Sequence, residues 1–228
     1  MTFREGGQFE GGRVRKSAGG RGGIAVGGGA VGLIIVFLIA QFTGVDVSGL
    51  LQGGGSSQSQ DLGEIGDCTA EQANTDPECR LSATLQALDA FWVPEASRIG
   101  VSGFEIPGAE SFTGSVGTGC GNATSAVGPF YCPPDQGIYL DLDFFDVLRS
   151  RFGASVGNLA EMYVVAHEYG HHIQNVTGYF DRADRSGTGE DSDSVRLELQ
   201  ADCLAGMWVG HAATVPDPDT GVIFLEPI

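Results

Sequence analysis

The residues with the clearest chemical potential are two histidines and a glutamate spaced as H-E-x-x-H. They are His167, Glu168 and His171. Because an α-helix turns once every 3.6 residues, the two histidines project from the same face and can bind one zinc ion. A glutamate beside them can take a proton from the water that the zinc activates. The spacing therefore predicts a zinc hydrolase site with Glu168 as the catalytic base.

A hydrolytic zinc site needs a third protein ligand and an open position for water. Our candidate for the third ligand is Glu198, on the next strongly helical segment, and Asp202 follows it one turn later. We expect Asp202 to accept the outer N–H of a ligand histidine and so fix its tautomer. His172 projects away from the ligand face and is expected at the surface or behind the ligands, and His211 at the surface or a helix end.

Two helices must present these residues. The first is predicted to start at Asn158, as N-cap, and to stop before Gly178. Gly170 lies inside it at a cost of about 1 kcal/mol relative to alanine, which suggests that another element packs closely there. The second helix is predicted over about 194–213, and the best strand candidate is 137–142. Helices with a few short strands indicate an α+β domain.

Charge and hydropathy divide the chain into zones. The net charge is −17, although residues 1–23 carry +3, and such an acidic body argues against nucleic-acid binding. Residues 24–42 carry no charge and are long enough to cross a bilayer as a helix. A cleaved signal peptide is the competing interpretation, but the apolar run is long and no small-x-small cleavage site follows it. The basic residues before the run predict a cytoplasmic N-terminus and an external domain.

These zones predict four parts. Residues 1–23 are expected to form a disordered, basic, glycine-rich cytoplasmic tail, and residues 24–42 a single transmembrane anchor. Residues 43–80 are expected to form a flexible linker rich in Gly, Ser and Gln. Residues 81–228 then make up an extracytoplasmic catalytic domain.

All five cysteines follow the apolar run, on the side where disulfides can persist. They form no C-x-x-C pair, so neither a cysteine zinc site nor a thioredoxin-like motif is indicated. The expected pairs join near neighbours, Cys68 with Cys79 and Cys120 with Cys132, although sequence alone does not prove this pairing. Cys203 is left over, and we expect a small buried residue on an apolar helix face.

Four separated motifs occur together between residues 80 and 213. They are Cys120–Ala123, Gly128–Asp135 with Ile138–Asp141, Ala166–Gln174 and Leu197–Cys203. In this order they resemble the signature of the putative neutral zinc metallopeptidases, which are bacterial, membrane-anchored proteins of the YpfJ-like group. The layout of a basic tail, an apolar run and an external domain is similar as well.

The resemblance implies a gluzincin-like zinc peptidase domain with zinc bound by His167, His171 and Glu198 and with Glu168 as base. It also implies that an edge strand over the metal helix holds the peptide substrate as an added strand. The segment assigned to that edge comprises Ile138, Tyr139, Leu140 and Asp141.

Members of this group continue past the second ligand helix through a segment with a Thr-His-Gly motif and a late cysteine. The sequence ends at Ile228, so we expect the domain to be C-terminally incomplete and to lack a residue that stabilises the transition state. The late cysteine of relatives is a candidate partner for Cys203.

The sequence thus predicts a membrane-anchored zinc metalloendopeptidase that acts on a peptide or protein substrate. The alternative is a catalytically silent, zinc-stabilised binding module of the cell envelope. The intact Glu168 favours the enzyme, because a silent module has no chemical need for that carboxylate. The shortened C-terminal end favours the module, and a redox role for Cys203 is weaker because no second thiol lies near it in sequence.

Overall fold

The structure, a computed structural model, describes residues 1–19, 59–145, 150, 157–184 and 189–227. The strands are β1 (Gln8–Phe9), β2 (Arg15–Gly19), β3 (Ser59–Glu64), β4 (Cys68–Thr69), β5 (Gly108–Thr113), β6 (Ser115–Thr118), β7 (Gly121–Thr124), β8 (Phe130–Cys132) and β9 (Gly137–Asp141). The helices are α1 (Ala70–Thr75), α2 (Pro77–Arg98), α3 (Asn158–Val176), α4 (Tyr179–Arg182) and α5 (Asp193–His211). The mixture of helices and strands confirms the predicted α+β class.

Five strands form one mixed sheet in the order β3-β2-β5-β9-β8. The inner pairs β2–β5 and β5–β9 are parallel, and the outer pairs β2–β3 and β8–β9 are antiparallel. The sheet therefore has β3 at one edge and β8 at the other. Two smaller pairs, β1–β4 and the β6–β7 hairpin, complete the strand pairing of the described residues.

The N-terminal residues are part of this fold. Strand β2 lies between β3 and β5, and the side chains of Phe3, Phe9 and Val14 are buried in the main core. The prediction of a disordered tail is therefore wrong for residues 1–19, and that of a flexible linker is wrong for residues 59–80. Local composition is rich in glycine and charge here, but backbone pairing on both sides of β2 and three apolar anchors hold the segment.

The pairing of β2 with β3 also bears on the predicted topology. Gly19 pairs with Ser59, so the residues that flank the segment 20–58 are neighbours in one sheet. A bilayer cannot divide a sheet, so residues 1–19 and the domain lie on the same side of any membrane. A cytoplasmic N-terminus ahead of an external domain does not fit this register.

The predicted anchor, residues 24–42, lies outside the described residues. Within the described residues, no helix combines the length and the hydropathy that crossing a bilayer requires. Attachment to a membrane through residues 24–42 therefore stays a prediction.

The main core lies between the sheet and the helices, and α3 runs through it. Helix α3 contacts α2, α5 and β8, which explains why eleven of its 19 residues are buried. A second, smaller core lies on the other face of the sheet, beneath the β6–β7 hairpin. Its buried members are Phe112, Val116, Ala123, Phe130, Cys132 and Tyr139.

The disulfides join the predicted neighbours. Cys68 is bonded to Cys79, and Cys120 is bonded to Cys132. The first bond ties β4 to α2, and the second ties the β6–β7 turn to the end of edge strand β8. Cys203 is free and exposed, so the expectation that it is buried is wrong.

Candidate metal centre

The two ligand helices touch at a glycine. An added Cβ at Gly170 of α3 would lie 3.0 Å from the carbonyl oxygen of Ala201 in α5 and 3.2 Å from its Cα. Any side chain at this position would push the helices apart, which explains a glycine inside a helix. The expected close approach of a second element at Gly170 is confirmed. The contact places the H-E-x-x-H residues next to the turn of α5 that carries Glu198.

The structure brings the three predicted ligands together. Nε2 of His167 lies 3.2 Å from Oε2 of Glu198, and Nε2 of His171 lies 3.5 Å from the same oxygen. All three ligand atoms lie within 4.8 Å of one another. Two ligands bound tetrahedrally to zinc at about 2.1 Å are about 3.4 Å apart, so these separations suit one ion.

Hydrogen bonds fix the tautomers of both histidines. Nδ1 of His167 donates to Oδ1 of Asp202 at 2.9 Å, as predicted for Asp202. Nδ1 of His171 donates to Oε1 of Gln174 at 2.8 Å. Each neutral imidazole then has its lone pair on Nε2, and both Nε2 atoms point at Glu198.

Gln174 was not singled out from the sequence. Its Nε2 donates to the carbonyl oxygen of Leu197 at 2.6 Å and to Oε1 of Gln200 at 3.0 Å, so its Oε1 is the end that faces His171. Gln174 therefore connects a ligand on α3 to the turn of α5 that carries Glu198. Its position three residues after His171, on the same helix face, is the signal that could have identified it.

The electrostatics of the cluster favour a cation. Burial alone would raise the pKa of Glu198, but the interactions with His167 and His171 outweigh it and lower that pKa to about 2. Burial likewise opposes a charged His167, but hydrogen bonds to Asp202 and Glu198 raise its pKa to about 10. Without a metal ion, a proton on His167 thus supplies the positive charge that the carboxylates require.

A further observation supports zinc binding by these donor atoms. Nε2 of His171 is buried and has no hydrogen-bond partner among the described residues. A buried polar atom without a partner costs roughly 1–3 kcal/mol, and a bound cation removes that cost. Two imidazole nitrogens and one carboxylate oxygen are also the ligand types that catalytic zinc sites use.

Glu168 lies directly behind the ligands. Its carboxyl group is buried, with 2% of the residue exposed, and its Oε2 has no hydrogen-bond partner in the part of the chain that the structure describes. Burial raises the pKa of Glu168, while the charges of His171 and His167 and a hydrogen bond from the backbone N–H of Tyr131 act in the opposite direction. A carboxyl group with a raised pKa is suited to hold a proton during catalysis.

Two buried contacts fix the helix that carries these residues. Arg80 of α2 forms an ion pair with Glu161 in the first turn of α3. Asp89 of α2 accepts a hydrogen bond from the Tyr169 hydroxyl at 2.9 Å and pairs with Arg13 at 2.6 Å. The N-terminal segment is thereby joined to the residue that follows Glu168.

The start of α3 differs in detail from the prediction. The residue that precedes the helix, Gly157, has no side-chain cap, and Asn158 is the first helical residue. The Asn158 side chain instead donates to the carbonyl oxygen of Asn74 at 3.0 Å, because α1 and α2 lie against this end of the helix. The end agrees with the prediction, since α3 stops at Val176 and Gly178 adopts a left-handed conformation.

The segment assigned to the substrate edge is not an edge. Ile138, Tyr139, Leu140 and Asp141 lie in β9, which pairs with β5 on one side and with β8 on the other. The sequence pattern identified a strand but not its place in the sheet. The edge strand next to α3 is β8, Phe130–Cys132.

The remaining histidines differ from each other. His172 is fully buried and makes two hydrogen bonds, so of the two expected places, at the surface or behind the ligands, the surface is wrong. Burial lowers its pKa to about 4, which keeps the ring neutral. His211 is exposed at the end of α5, as expected.

Two uncharacterised bacterial proteins match most of the chain. The chain is 46% identical over 197 residues to an uncharacterised protein of Mycobacterium tuberculosis, a match that covers 83% of this chain and 64% of that protein. It is 37% identical over 191 residues to the uncharacterised protein YpfJ of Escherichia coli K12, covering 82% of this chain and 64% of YpfJ. The chain thus spans about two thirds of the length of these relatives. No solved structure matches it.

A family model supplies the assignment. The model described as "putative neutral zinc metallopeptidase" matches residues 3–218, which include the N-terminal segment, both ligand helices and the edge strand. On this match, the chain belongs to the family that the model describes.

Proposed function

We propose that this protein is a zinc-dependent peptidase in which His167, His171 and Glu198 bind the metal and Glu168 is the general base. The observation that carries the proposal is the convergence of three ligand atoms within 4.8 Å beside a buried, unpartnered carboxylate oxygen. Family membership supports the same conclusion.

Zinc, when bound, lowers the pKa of a coordinated water towards 7 and polarises the carbonyl group of the scissile bond. The residues of the chain supply the rest. Glu168 accepts the proton of the attacking water and passes it to the nitrogen of the leaving amine. Asp202 and Gln174 hold the two histidine rings so that each Nε2 faces the metal position.

The substrate belongs on the free edge of β8. Among the described residues this strand pairs only with β9, through Phe130–Cys132, and the backbone of Tyr131 approaches Glu168. A peptide added there as a further strand would be held by backbone hydrogen bonds, with its scissile bond close to the base. Such binding depends on the extended backbone conformation of the peptide more than on the identity of its side chains.

The location proposed for the domain is outside the cytoplasm. Two disulfides join its elements, and disulfides persist in oxidising compartments. Because β2 and β3 share a sheet, residues 1–19 belong to the same compartment. A single membrane span at residues 24–42 would separate residues 1–19 from residues 59–80 and is therefore not part of this proposal.

Metal analysis and a peptide-library digest test the proposal together. The purified protein should contain about one zinc per chain and should cleave a subset of extended peptides. A chelator should abolish cleavage, and added zinc should restore it. Bound zinc without cleavage of any library peptide would contradict the peptidase and favour the zinc-stabilised binding module. Absence of zinc binding would contradict both hypotheses.

A further inference from the structure

A chain of buried and partly buried hydrogen bonds lies next to the metal centre and is not explained by metal binding. It joins the loop at residues 99–107, helix α3 and edge strand β8. Nε2 of His172 lies 2.8 Å from the carbonyl oxygen of Glu105, and Nδ1 of His172 lies 3.0 Å from the hydroxyl oxygen of Tyr131. Nδ2 of Asn175 lies 2.9 Å from the same hydroxyl oxygen. His172 and Tyr131 are both almost completely buried.

The direction of each hydrogen bond follows from the groups involved. A carbonyl oxygen only accepts, so Nε2 of His172 donates to Glu105 and the neutral ring accepts through Nδ1. The Tyr131 hydroxyl therefore donates to His172, and it accepts from the amide of Asn175. One arrangement of protons satisfies all three contacts. The phenol of Tyr131, which belongs to β8, is therefore held in a fixed position against α3.

The other end of Tyr131 faces the catalytic base. Its backbone N–H lies close enough to the carboxyl group of Glu168 to lower the pKa of that group. Tyr131 thus touches α3 twice, through its hydroxyl near residues 172 and 175 and through its backbone near residue 168. Because β8 is three residues long and has one neighbour in the sheet, these two contacts set its distance from α3.

We propose that His172 and Asn175 are positioning residues that act through Tyr131 to hold edge strand β8 against Glu168 and so orient this carboxylate towards the ligand cluster. The inference rests on the proposed peptidase function, and it concerns the orientation of the base and of the strand that would receive the substrate. It assigns no metal ligation to either residue.

The substitution Tyr131→Phe removes only the hydroxyl group that forms the hydrogen bonds with His172 and Asn175. With kinetics on the zinc-loaded protein, we expect kcat to fall about tenfold while KM and zinc content stay within twofold. Tyr169→Phe is the matched control, because it also removes a buried hydroxyl from a tyrosine that contacts the same helix but is bonded to Asp89. It should lower the thermal midpoint to a similar extent and leave kcat within twofold.

A double-mutant cycle tests the route through Tyr131. If Asn175 acts through that hydroxyl, Asn175→Ala should lower kcat in the native background and have no further effect in the Tyr131→Phe background. Full additivity of the two effects on kcat would overturn the proposed route. Equal kcat for Tyr131→Phe and the native protein would overturn the positioning role.

A readout without catalysis separates this inference from the proposed function. Amide hydrogen exchange at residue 131, followed by NMR on the metal-free protein, reports whether its N–H is held against Glu168. We expect exchange to accelerate at least fivefold in Tyr131→Phe and in Glu168→Ala, and to stay unchanged in Tyr169→Phe. Unchanged exchange in Tyr131→Phe would overturn the inference even for an active enzyme, whereas accelerated exchange in a protein that cleaves nothing would uphold the strand's attachment and reject the peptidase.

Discussion

Gly170 and Ala201 bring the two ligand helices into backbone contact, with room for no side chain between them. The distance between His171 on α3 and Glu198 on α5 depends on this contact, since each ligand lies within one helical turn of it. Packing at one glycine therefore sets the geometry of a site in which Glu198 is 27 residues or more from the two histidines in sequence.

We predict that Gly170→Ala weakens zinc binding although alanine is the better helix former. The added Cβ would meet the Ala201 backbone at 3.0 Å, so α5 must move and carry Glu198 with it. We expect a loss of zinc affinity of about tenfold, measured by competition with a chromogenic chelator. Gly206→Ala is the control, because open space surrounds Gly206 and the substitution should stabilise the helix by about 1 kcal/mol. Unchanged affinity in Gly170→Ala would contradict the close contact.

A second prediction concerns Gln174, which holds the Nδ1–H of His171. In Gln174→Leu this N–H loses its partner, and the carbonyl oxygen of Leu197 loses the hydrogen bond from the Gln174 side chain. Loss of a hydrogen bond to a ligand histidine lowers metal affinity by about 10- to 100-fold, and we expect that range here by isothermal titration with zinc. Gln86→Leu, on α2, is the matched control and should leave the affinity unchanged. Native affinity in Gln174→Leu would show that His171 keeps its orientation without this partner.

The ligand helices were predictable because their signals are local. Three of these signals depend only on residues within a few turns of each other. They are the spacing of His167 and His171, the apolar stripe around Leu197 and the left-handed conformation at Gly178. The edge of the sheet was not predictable in the same way. Strand β9 has the stronger β pattern, but its place between β5 and β8 depends on pairings with residues up to about 30 positions away.

The N-terminal strand shows the same limit more strongly. Gly19 and Ser59 pair across 39 intervening residues, and nothing in the composition of residues 15–19 distinguishes β2 from a disordered tail. The sequence left the place of His172, at the surface or behind the ligands, open for a related reason. A helix packed on one side would expose this ring, whereas α3 is covered by α2, α5 and β8.

The N-terminal segment should contribute to stability through Arg13. Its guanidinium group makes two hydrogen bonds with Asp89, at 2.6 and 3.1 Å, and Asp89 also accepts from Tyr169. Removal of one partner from a largely buried ion pair costs about 3 kcal/mol, and we expect a loss of that order for Arg13→Ala in urea unfolding. Arg15→Ala is the control, since the Arg15–Asp61 pair is exposed and should be worth less than about 1 kcal/mol. Equal, small losses in both variants would indicate that residues 1–19 are not packed on the domain.

Asp141 should give the protein a measurable pH dependence. Its carboxyl group is fully buried, Oδ2 has no hydrogen-bond partner, and burial raises its pKa above the usual value of 3.8. A raised pKa favours the protonated form in the folded state, so the contribution of Asp141 to stability is present below pH 3.8 and is lost as the pH rises through its folded pKa.

Asp141→Asn removes this titration. We therefore expect the unfolding free energy of the variant, minus that of the native protein, to increase from pH 4 to pH 7 when both are measured by urea unfolding without metal. A difference in unfolding free energy that stays constant or decreases over this range would contradict a raised pKa for Asp141.

The most direct test of the whole account is Glu168→Gln, assayed with zinc loaded. Glutamine keeps the size of the side chain but cannot accept the proton, and loss of a general base costs about 10²- to 10⁴-fold in rate. The account predicts a fall in kcat of that size with about one zinc per chain still bound, while the exposed control Glu190→Gln keeps native activity. Peptide cleavage at the native rate by zinc-loaded Glu168→Gln would contradict it.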